Sequence, residues 1–156
     1  MDESAARAAF EQALQTYHQD FGTFFLARLF GLSFAYEDDA CIVTGTVKDF
    51  MFNPQGTLHG GVISFIMDVS MGHLLRKSSG PGTTLEMKLQ FFRPATVGDI
   101  KAVGRFLKKG RTINYLESRL TQNGADARWR PRPGCCWALE SAARRPHPAS
   151  ASRGRS

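Results

Sequence analysis

The feature that most constrains the fold is the segment from residue 62 to residue 75, which is apolar almost all round. Helices with this pattern are normally buried, because no face of them is suited to water. The segment therefore predicts a long buried helix, spanning about Gly61–Arg76. Its apolar positions are Val62, Ile63, Phe65, Ile66, Met67, Val69, Met71, Leu74 and Leu75.

One line along this helix breaks the apolar pattern. Gly60, Ser64, Asp68 and Gly72 are spaced by four and so share a face. A buried carboxylate is costly unless it is partnered, protonated or facing a cleft. The first N–H groups of the helix, near Gly60 and Gly61, lack intrahelical partners and lie at the positive end of the helix dipole. This helix face and the free N–H groups at its start together predict a site for a carbonyl or an anion within reach of Asp68.

Charge is distributed unevenly along the chain. The length of 156 residues indicates one domain, and a hydrophobic content of 42% with 12 Phe is enough for a core. Residues 1–124 hold 13 Lys and Arg against 12 Asp and Glu, whereas residues 125–156 hold 7 Arg against 2 acids. We predict an N-terminal helix over 1–22, a main domain over 23–124, and a disordered basic tail over 125–156, rich in Arg, Pro and Ser.

Several classes of protein are disfavoured. The sequence has no apolar run of the ~18 residues that a membrane span needs. The acidic start, Met1–Ser4, lacks the basic and apolar regions of a signal peptide. Cys41, Cys135 and Cys136 form no CxxC pair, which favours a reducing compartment and argues against a zinc site. We expect a cytoplasmic protein, with a mitochondrial location left open, and no metal or bound cofactor.

Periodicity places the remaining elements. Helical spacing predicts a first helix over 4–20 with Ser4 as its N-cap, then a short helix from Phe24 to Phe30, capped by Thr23 and ended by Gly31. Residues 77–82 are predicted as a loop. Alternation of period two predicts strands over 32–36, 41–48, 84–91, 100–107 and 112–121. In the third of these, the alternation turns Leu85, Met87, Leu89 and Phe91 to one side and Thr84, Glu86, Lys88 and Gln90 to the other.

The C-terminal part does not continue this pattern. Asn123–Gly124 is typical of a hairpin turn and predicts one more strand. The following Ala127–Pro133, however, carries charges and two prolines where a central strand needs N–H donors and apolar side chains. Ala142–Ser156 is predicted to be disordered. A basic tail can bind nucleic acid or an anionic membrane, but a solvated tail is favoured here because the sequence contains no recognisable nucleic-acid module.

The order of helix, hairpin, long apolar helix and antiparallel strands resembles the hotdog fold, an α+β fold in which a curved sheet wraps a central helix. Asn53-x-x-Gly56-x-x-His59-Gly60-Gly61, with Asp68 nine residues after the histidine, resembles the signature of PaaI-like acyl-CoA thioesterases, including the animal thioesterase-superfamily-member-2 type. The resemblance covers roughly residues 20–124. Supporting matches are Pro81–Thr84, Phe91–Pro94, Gly98–Asp99 and Lys109–Arg111.

The resemblance implies a role for each motif residue. Asp68 would be the general base or nucleophile at the thioester carbon, and the Gly60 N–H would polarise the thioester carbonyl. Asn53 would position the attacking water or the carbonyl. His59 would hold the loop, and Asn53 with it, by hydrogen bonding. Thr84 would steady the water.

The resemblance also implies a substrate and an assembly. Gly61 would contact the substrate, and Lys108, Lys109 and Arg111 would contact the coenzyme A phosphates. The site would form between two subunits of a homodimer or homotetramer. The expected reaction is hydrolysis of fatty or aromatic acyl-CoA to free acid and coenzyme A. The alternatives are a hotdog hydratase or dehydratase, an inactive or unstable isoform, and a protein that only binds acyl-CoA. In this family the last strand lies inside the sheet, and here the Arg/Pro segment is expected in its place.

Overall fold

The computed structural model describes residues 1–123 and, as backbone, the strand at residues 137–144. Its elements follow the predicted alternation of helices and antiparallel strands. In chain order they are α1 (Glu3–Thr16), α2 (Phe25–Phe30), β1 (Ser33–Glu37), β2 (Ala40–Val47), a 3-10 turn (Asp49–Met51), α3 (Gly60–Ser79), β3 (Thr83–Gln90), β4 (Gly98–Lys108), β5 (Ile113–Gln122) and β6 (Trp137–Arg144).

The strands form one antiparallel sheet, and α3 packs against it. The strand order is β1-β2-β4-β5-β6-β3, and every neighbouring pair is antiparallel. Helix α3 contacts β2, β3, β4, β5 and β6. The predicted architecture of a long helix against an antiparallel sheet is therefore correct.

Helix α3 is buried as its apolar pattern predicts. Its residues in the core are Ile63, Ile66, Met67, Met71, Leu74 and Leu75. The helix is longer than predicted, because it begins at Gly60 and continues to Ser79. Lys77–Ser79 is thus helical rather than part of a loop; the helix ends only at Gly80, whose φ of 87° leaves the helical region.

Small residues bring α3 close to the sheet. The hydroxyl of Ser70 donates to the Met67 carbonyl at 2.7 Å and lies 2.7 Å from the hydroxyl of Ser118 on β5, which therefore donates to it. Next to this contact, a Cβ on Gly104 of β4 would lie 2.7 Å from the Ser70 carbonyl oxygen. Only a residue without a side chain fits there.

Strand β5 confirms the predicted alternation. Asn114, Leu116, Ser118 and Leu120 are buried against the helix side. Ile113 and Tyr115 are exposed on the opposite side, at 41% and 48%. The sheet thus has one face on the core and one face away from it.

Helix α1 differs from the prediction at both ends. Its N-cap is Asp2, whose carboxylate accepts the N–H of Ala5 at 2.9 Å, and Ser4 lies within the first turn. The helix ends at Thr16 rather than at residue 20. A carboxylate at the helix start also interacts favourably with the helix dipole, which explains why it takes the cap position.

Helix α2 ends at Gly31 as predicted, with φ of 64° in the left-handed region. It has no side-chain cap at its start. The hydroxyl of Thr23, predicted to supply that cap, instead donates to Asp20 at 2.8 Å. Asp20 also accepts the N–H groups of Gly22 and Thr23, and so shapes the turn between α1 and α2.

The interior strand that the sequence placed in doubt is present as β6. It pairs with β5 on one side and with β3 on the other. The expectations that an Arg/Pro segment takes its place, and that the tail is disordered from residue 125, are wrong for residues 137–144. The strand begins after Pro131 and Pro133 and contains no proline, so every residue can donate to a ladder. The rest of the predicted tail lies outside the described residues.

Within the described ranges, none of the helices is both long enough and apolar enough to cross a lipid bilayer.

Gly104→Ala tests the close approach of α3. The added methyl group meets the Ser70 main chain, so either the helix or β4 must shift. We expect the free energy of unfolding to fall by about 1–3 kcal/mol, as for other overpacked cores. Urea unfolding measures this, with Gly22→Ala as control, because a Cβ at Gly22 comes no closer than 3.8 Å to its neighbours. Equal stability of the two variants would contradict the prediction.

Candidate active site

Asp68 and Thr84 form a hydrogen-bonded pair between α3 and β3. The Thr84 hydroxyl donates to Oδ1 of Asp68 at 2.8 Å. Asp68 is half-buried, and its Oδ2 has no hydrogen-bond partner within the described part of the chain. One carboxylate oxygen is therefore fixed, while the other is free to accept a proton or to bind water.

A β-bulge turns Thr84 towards Asp68. Simple alternation places Thr84 on the side away from Met87 and Leu89, the two residues of β3 that pack on the core. In the structure the register with β6 shifts between Thr84 and Glu86, so that Leu85 is left unpaired and 52% exposed. An extra residue reverses the alternation on one side of a bulge. The prediction that Leu85 shares a side with Met87 and Leu89 is thus wrong, and Thr84 takes that side, facing the helix, instead.

The pair borders a cleft of about 400 Å³, which we call the Asp68 cleft. Its walls are mainly aromatic and aliphatic, and the charged side chains among its lining residues are the carboxylates of Asp20 and Asp68. The full lining is Gln19, Asp20, Phe21, Phe24, Asp68, Val69, Gly72, His73, Gly82 and Thr84.

Asn53 shapes the loop that precedes α3. Its Oδ1 accepts the N–H groups of Gln55 and Thr57 at 3.0 and 3.1 Å, and its Nδ2 donates to the Thr57 hydroxyl at 2.9 Å. Such local side-chain bonds stabilise a turn. One N–H of the Asn53 amide remains for a ligand.

His59 caps α3 and determines which helix N–H groups stay free. Its Nδ1 accepts the N–H of Gly61 at 2.8 Å, and its carbonyl accepts those of Val62 and Ile63. The N–H of Gly60 has no partner among the described residues. Of the two predicted glycine contacts, Gly60 can therefore donate to a ligand, whereas Gly61 is already engaged. His59 makes no hydrogen bond to Asn53 in the described part of the chain.

Asn53 and Gly60 line a second cleft, of about 330 Å³, which we call the Gly60 cleft. Phe91, which follows β3, lies against Gly60, since a Cβ there would be 3.3 Å from the Phe91 ring. Gly60 and Asp68 are separated along α3 by about 12 Å, at a rise of ~1.5 Å per residue. The structure therefore brings Asp68 together with Thr84, and Asn53 together with Gly60, but keeps the two pairs apart within one chain.

The basic turn between β4 and β5 lies at the Thr84 end of the sheet. Asn114 of β5 pairs with Ala143 of β6, which in turn pairs with Thr84, so the three are level across the sheet. Lys109 forms an ion pair with Asp39 at 2.7 Å. Lys108 and Arg111 are exposed and make no ion pair within the described residues.

Two buried groups near α3 are not placed to act on a substrate. His73 stacks on Phe34 at 4.1 Å, and its Nδ1 lies 3.0 Å from the Tyr36 hydroxyl. Its Nε2 is shielded from solvent and has no hydrogen-bond partner in the described part of the chain. Burial also raises the pKa of the Cys41 thiol to about 12, so this cysteine is not a nucleophile. The described residues include no cluster of three metal-binding side chains.

Part of the chain is similar in sequence to known thioesterases. Residues 55–125 match the model of the thioesterase superfamily. Human acyl-coenzyme A thioesterase 13 is 33% identical over 78 residues, which are 48% of this chain and 56% of the human protein. The mouse protein of the same name is 31% identical over the same length. The chain thus spans about half the length of the curated relatives that it matches.

Solved structures extend the likeness to most of the chain. The PaaI protein of the E. coli phenylacetic acid degradation operon superposes with a TM-score of 0.71 at 15% identity, covering 89% of this chain and 96% of PaaI. A conserved protein of Pseudomonas aeruginosa superposes with a TM-score of 0.69 at 23% identity, covering 81% of this chain and 97% of the Pseudomonas protein. The fold is therefore the predicted hotdog fold.

His73 predicts a pH dependence of stability. Burial lowers its pKa from 6.5, the nearby positive charge of Arg76 acts in the same direction, and the Phe21 main chain offsets part of the shift. Well above pH 6.5 the ring is neutral in both states. Below it, the unfolded chain binds the proton first, so the free energy of unfolding falls by up to about 1.4 kcal/mol per pH unit. The decline continues until the pH passes the lowered folded pKa.

His73→Phe keeps an aromatic ring at the Phe34 stack and removes the titrating group. We expect it to flatten the decline of stability below pH 6.5, measured by urea unfolding at several pH values. His18→Gln, which replaces an exposed imidazole, is the matched control. A slope unchanged by His73→Phe would show that His73 does not cause it.

Proposed function

We propose that this protein is an acyl-CoA thioesterase, which hydrolyses acyl-CoA to a free acid and coenzyme A. The observation that carries the proposal is the arrangement on α3. One helix presents an unpartnered N–H at Gly60 and, further along the same face, a carboxylate that is fixed by Thr84 at the wall of a cleft. These are the oxyanion donor and the base that thioester hydrolysis needs.

The chemistry follows from these groups. Oδ2 of Asp68 accepts a proton from a water whose oxygen attacks the thioester carbon, while Thr84 holds Oδ1. A Gly60 N–H stabilises the oxyanion, and one such donor contributes roughly 10²–10³ in rate. Collapse of the intermediate breaks the carbon–sulfur bond, and the coenzyme A thiolate leaves and takes up a proton. If Asp68 attacks directly instead, it displaces the coenzyme A thiolate and forms a mixed anhydride with the acyl group. In ¹⁸O-labelled water, a single turnover then places the label in the Asp68 carboxylate when water opens the anhydride at the aspartyl carbon.

Two subunits are required to complete this site. A reacting carbonyl must lie about 3 Å from both the base and the oxyanion donor, yet Gly60 and Asp68 of one chain are about 12 Å apart. Strand β3 is at the edge of the sheet. If two copies pair antiparallel about the middle of β3, Thr84 of one lies near the end of β3 in the other, where Phe91 meets Gly60. Each Asp68 then faces the Gly60 of its partner.

The charges indicate how the substrate lies. The Asp68 cleft has aromatic walls and two carboxylates, which suit an acyl group and repel phosphates. Lys108 and Arg111, at the Thr84 end of the sheet, are available to the coenzyme A phosphates. Lys109 would have to leave Asp39 to do the same. The acyl group therefore enters beside Phe21 and Phe24, and the nucleotide stays at the surface.

Substitution of the pair tests the chemistry. We expect Asp68→Asn to lower the rate of free-thiol release from acyl-CoA by at least about 10²-fold, because the amide cannot accept the proton from water. Thr84→Val should release thiol more slowly than wild type, and Thr84→Ser at close to the wild-type rate, since only the serine keeps the hydroxyl. A thiol reagent measures release over a panel of acyl-CoAs. Equal rates for wild type and Asp68→Asn would refute the proposed role of Asp68.

Complementation tests the sharing of the site. Asn53→Ala and Asp68→Asn are each expected to be inactive alone, because each damages both sites of a homodimer. A mixed dimer combines an intact loop from one chain with an intact Asp68 from the other and so regains one site. Random mixing of subunits should therefore restore about a quarter of wild-type activity. A mixture that stays inactive, although mass spectrometry detects mixed dimers, would show that each site lies within one chain.

A further inference from the structure

We propose that Gly72 determines the size of the acyl group that the Asp68 cleft accepts; this inference rests on the proposed function. Gly72 lies one helical turn after Asp68 on the same face of α3 and lines the same cleft. A Cβ built on Gly72 meets no atom within 4 Å, so the missing side chain leaves open space beside the carboxylate.

The fold itself does not require glycine at this position. Gly72 is helical and does not adopt a positive φ. It makes no close packing contact, in contrast to Gly104, where a Cβ would lie 2.7 Å from the Ser70 carbonyl oxygen. Glycine within a helix is less favourable than alanine. What Gly72 contributes in return is the space in the cleft.

The opposite wall of the cleft is held in place, so its width depends on the helix side. The Phe21 ring lies 3.9 Å below the Arg76 guanidinium and meets the His73 ring edge-on at 5.7 Å. The Phe24 ring packs on Phe65 at 6.0 Å. Because these rings are fixed by their neighbours, a side chain added at Gly72 fills the cleft rather than displacing its wall.

The acyl group is the part of the substrate that this space suits. The charged side chains lining the cleft are Asp20 and Asp68, both of which repel phosphate. A neutral acyl chain or ring, in contrast, gains contact with Phe21, Phe24 and Val69. The side chain at position 72 should therefore affect long or bulky acyl groups and spare short ones.

A size series at position 72 tests this. Gly72→Ala, Gly72→Val and Gly72→Leu are assayed with acetyl-CoA and octanoyl-CoA. We expect kcat/KM for octanoyl-CoA to fall progressively, by about tenfold or more in Gly72→Leu, because a hydrophobic pocket discriminates by this factor per group excluded. For acetyl-CoA it should stay within about threefold of wild type. Gly72→Ala should also raise Tm by roughly 2–4 °C, through its better helix propensity.

Ser78→Leu is the control, because it adds similar bulk to an exposed position of α3 that does not line the cleft. Ser78→Leu should not change the ratio of kcat/KM for octanoyl-CoA to kcat/KM for acetyl-CoA. If kcat/KM of Gly72→Leu falls equally for acetyl-CoA and octanoyl-CoA, or falls for neither, the proposal for Gly72 is overturned. The thioesterase function is unaffected by either result.

A wild-type protein that hydrolyses neither substrate would refute the thioesterase function instead. The proposal for Gly72 is then decided by calorimetric binding of the thioethers S-octyl-CoA and S-ethyl-CoA, which cannot be hydrolysed. Weaker binding of S-octyl-CoA alone in Gly72→Leu, by about tenfold, supports it. Unchanged binding of both thioethers, or equal weakening of both, refutes it.

Discussion

The rest of the structure depends on the contact between α3 and the centre of the sheet. The buried hydroxyls of Ser70 and Ser118 bond to each other, and leaving one of them unpaired would cost about 1–3 kcal/mol. Beside them, Gly104 lets the helix backbone approach β4. This contact fixes both the rotation and the height of the helix. Since residues two apart on a helix point about 160° away from each other, burying Ser70 under the sheet turns Asp68 towards the cleft.

The Asp68–Thr84 pair depends on the C-terminal strand as much as on the helix. Strand β3 pairs with β6 and, among the described strands, with no other. The bulge that aims Thr84 is also a feature of the register between β3 and β6. Loss of β6 would therefore leave Thr84 without the pairing that positions it, even though every residue of the motif from Asn53 to Asp68 would remain. Sheet integrity and the proposed chemistry are coupled through this one strand.

The sequence predicted well those elements in which one periodicity determines which side chains are buried. The apolar surface of α3 and the alternation of β5 each have one arrangement that buries their apolar side chains. Strand β3 was predicted, but the sides to which Thr84 and Leu85 turn were not, because a bulge is a property of a pair of strands and nothing in the sequence near Leu85 marks it. Strand β6 was expected from the Asn123–Gly124 turn but placed in doubt, because prolines and arginines dominate the composition of the residues that follow this turn. An interior strand is stabilised by ladders on both sides, and these override the weak strand preference of its alanines.

The choice of histidine as the cap of α3 fits the proposed chemistry better than the usual capping residues do. Aspartate is among the best N-caps, because its charge favours the helix dipole. Next to Gly60, however, a carboxylate would repel the negative charge that develops on a thioester oxygen. His59 accepts the Gly61 N–H through the lone pair of Nδ1, so the ring that makes this bond carries no negative charge. It thereby satisfies one helix N–H and leaves the neighbouring Gly60 N–H, with the full field of the helix start, for the oxyanion.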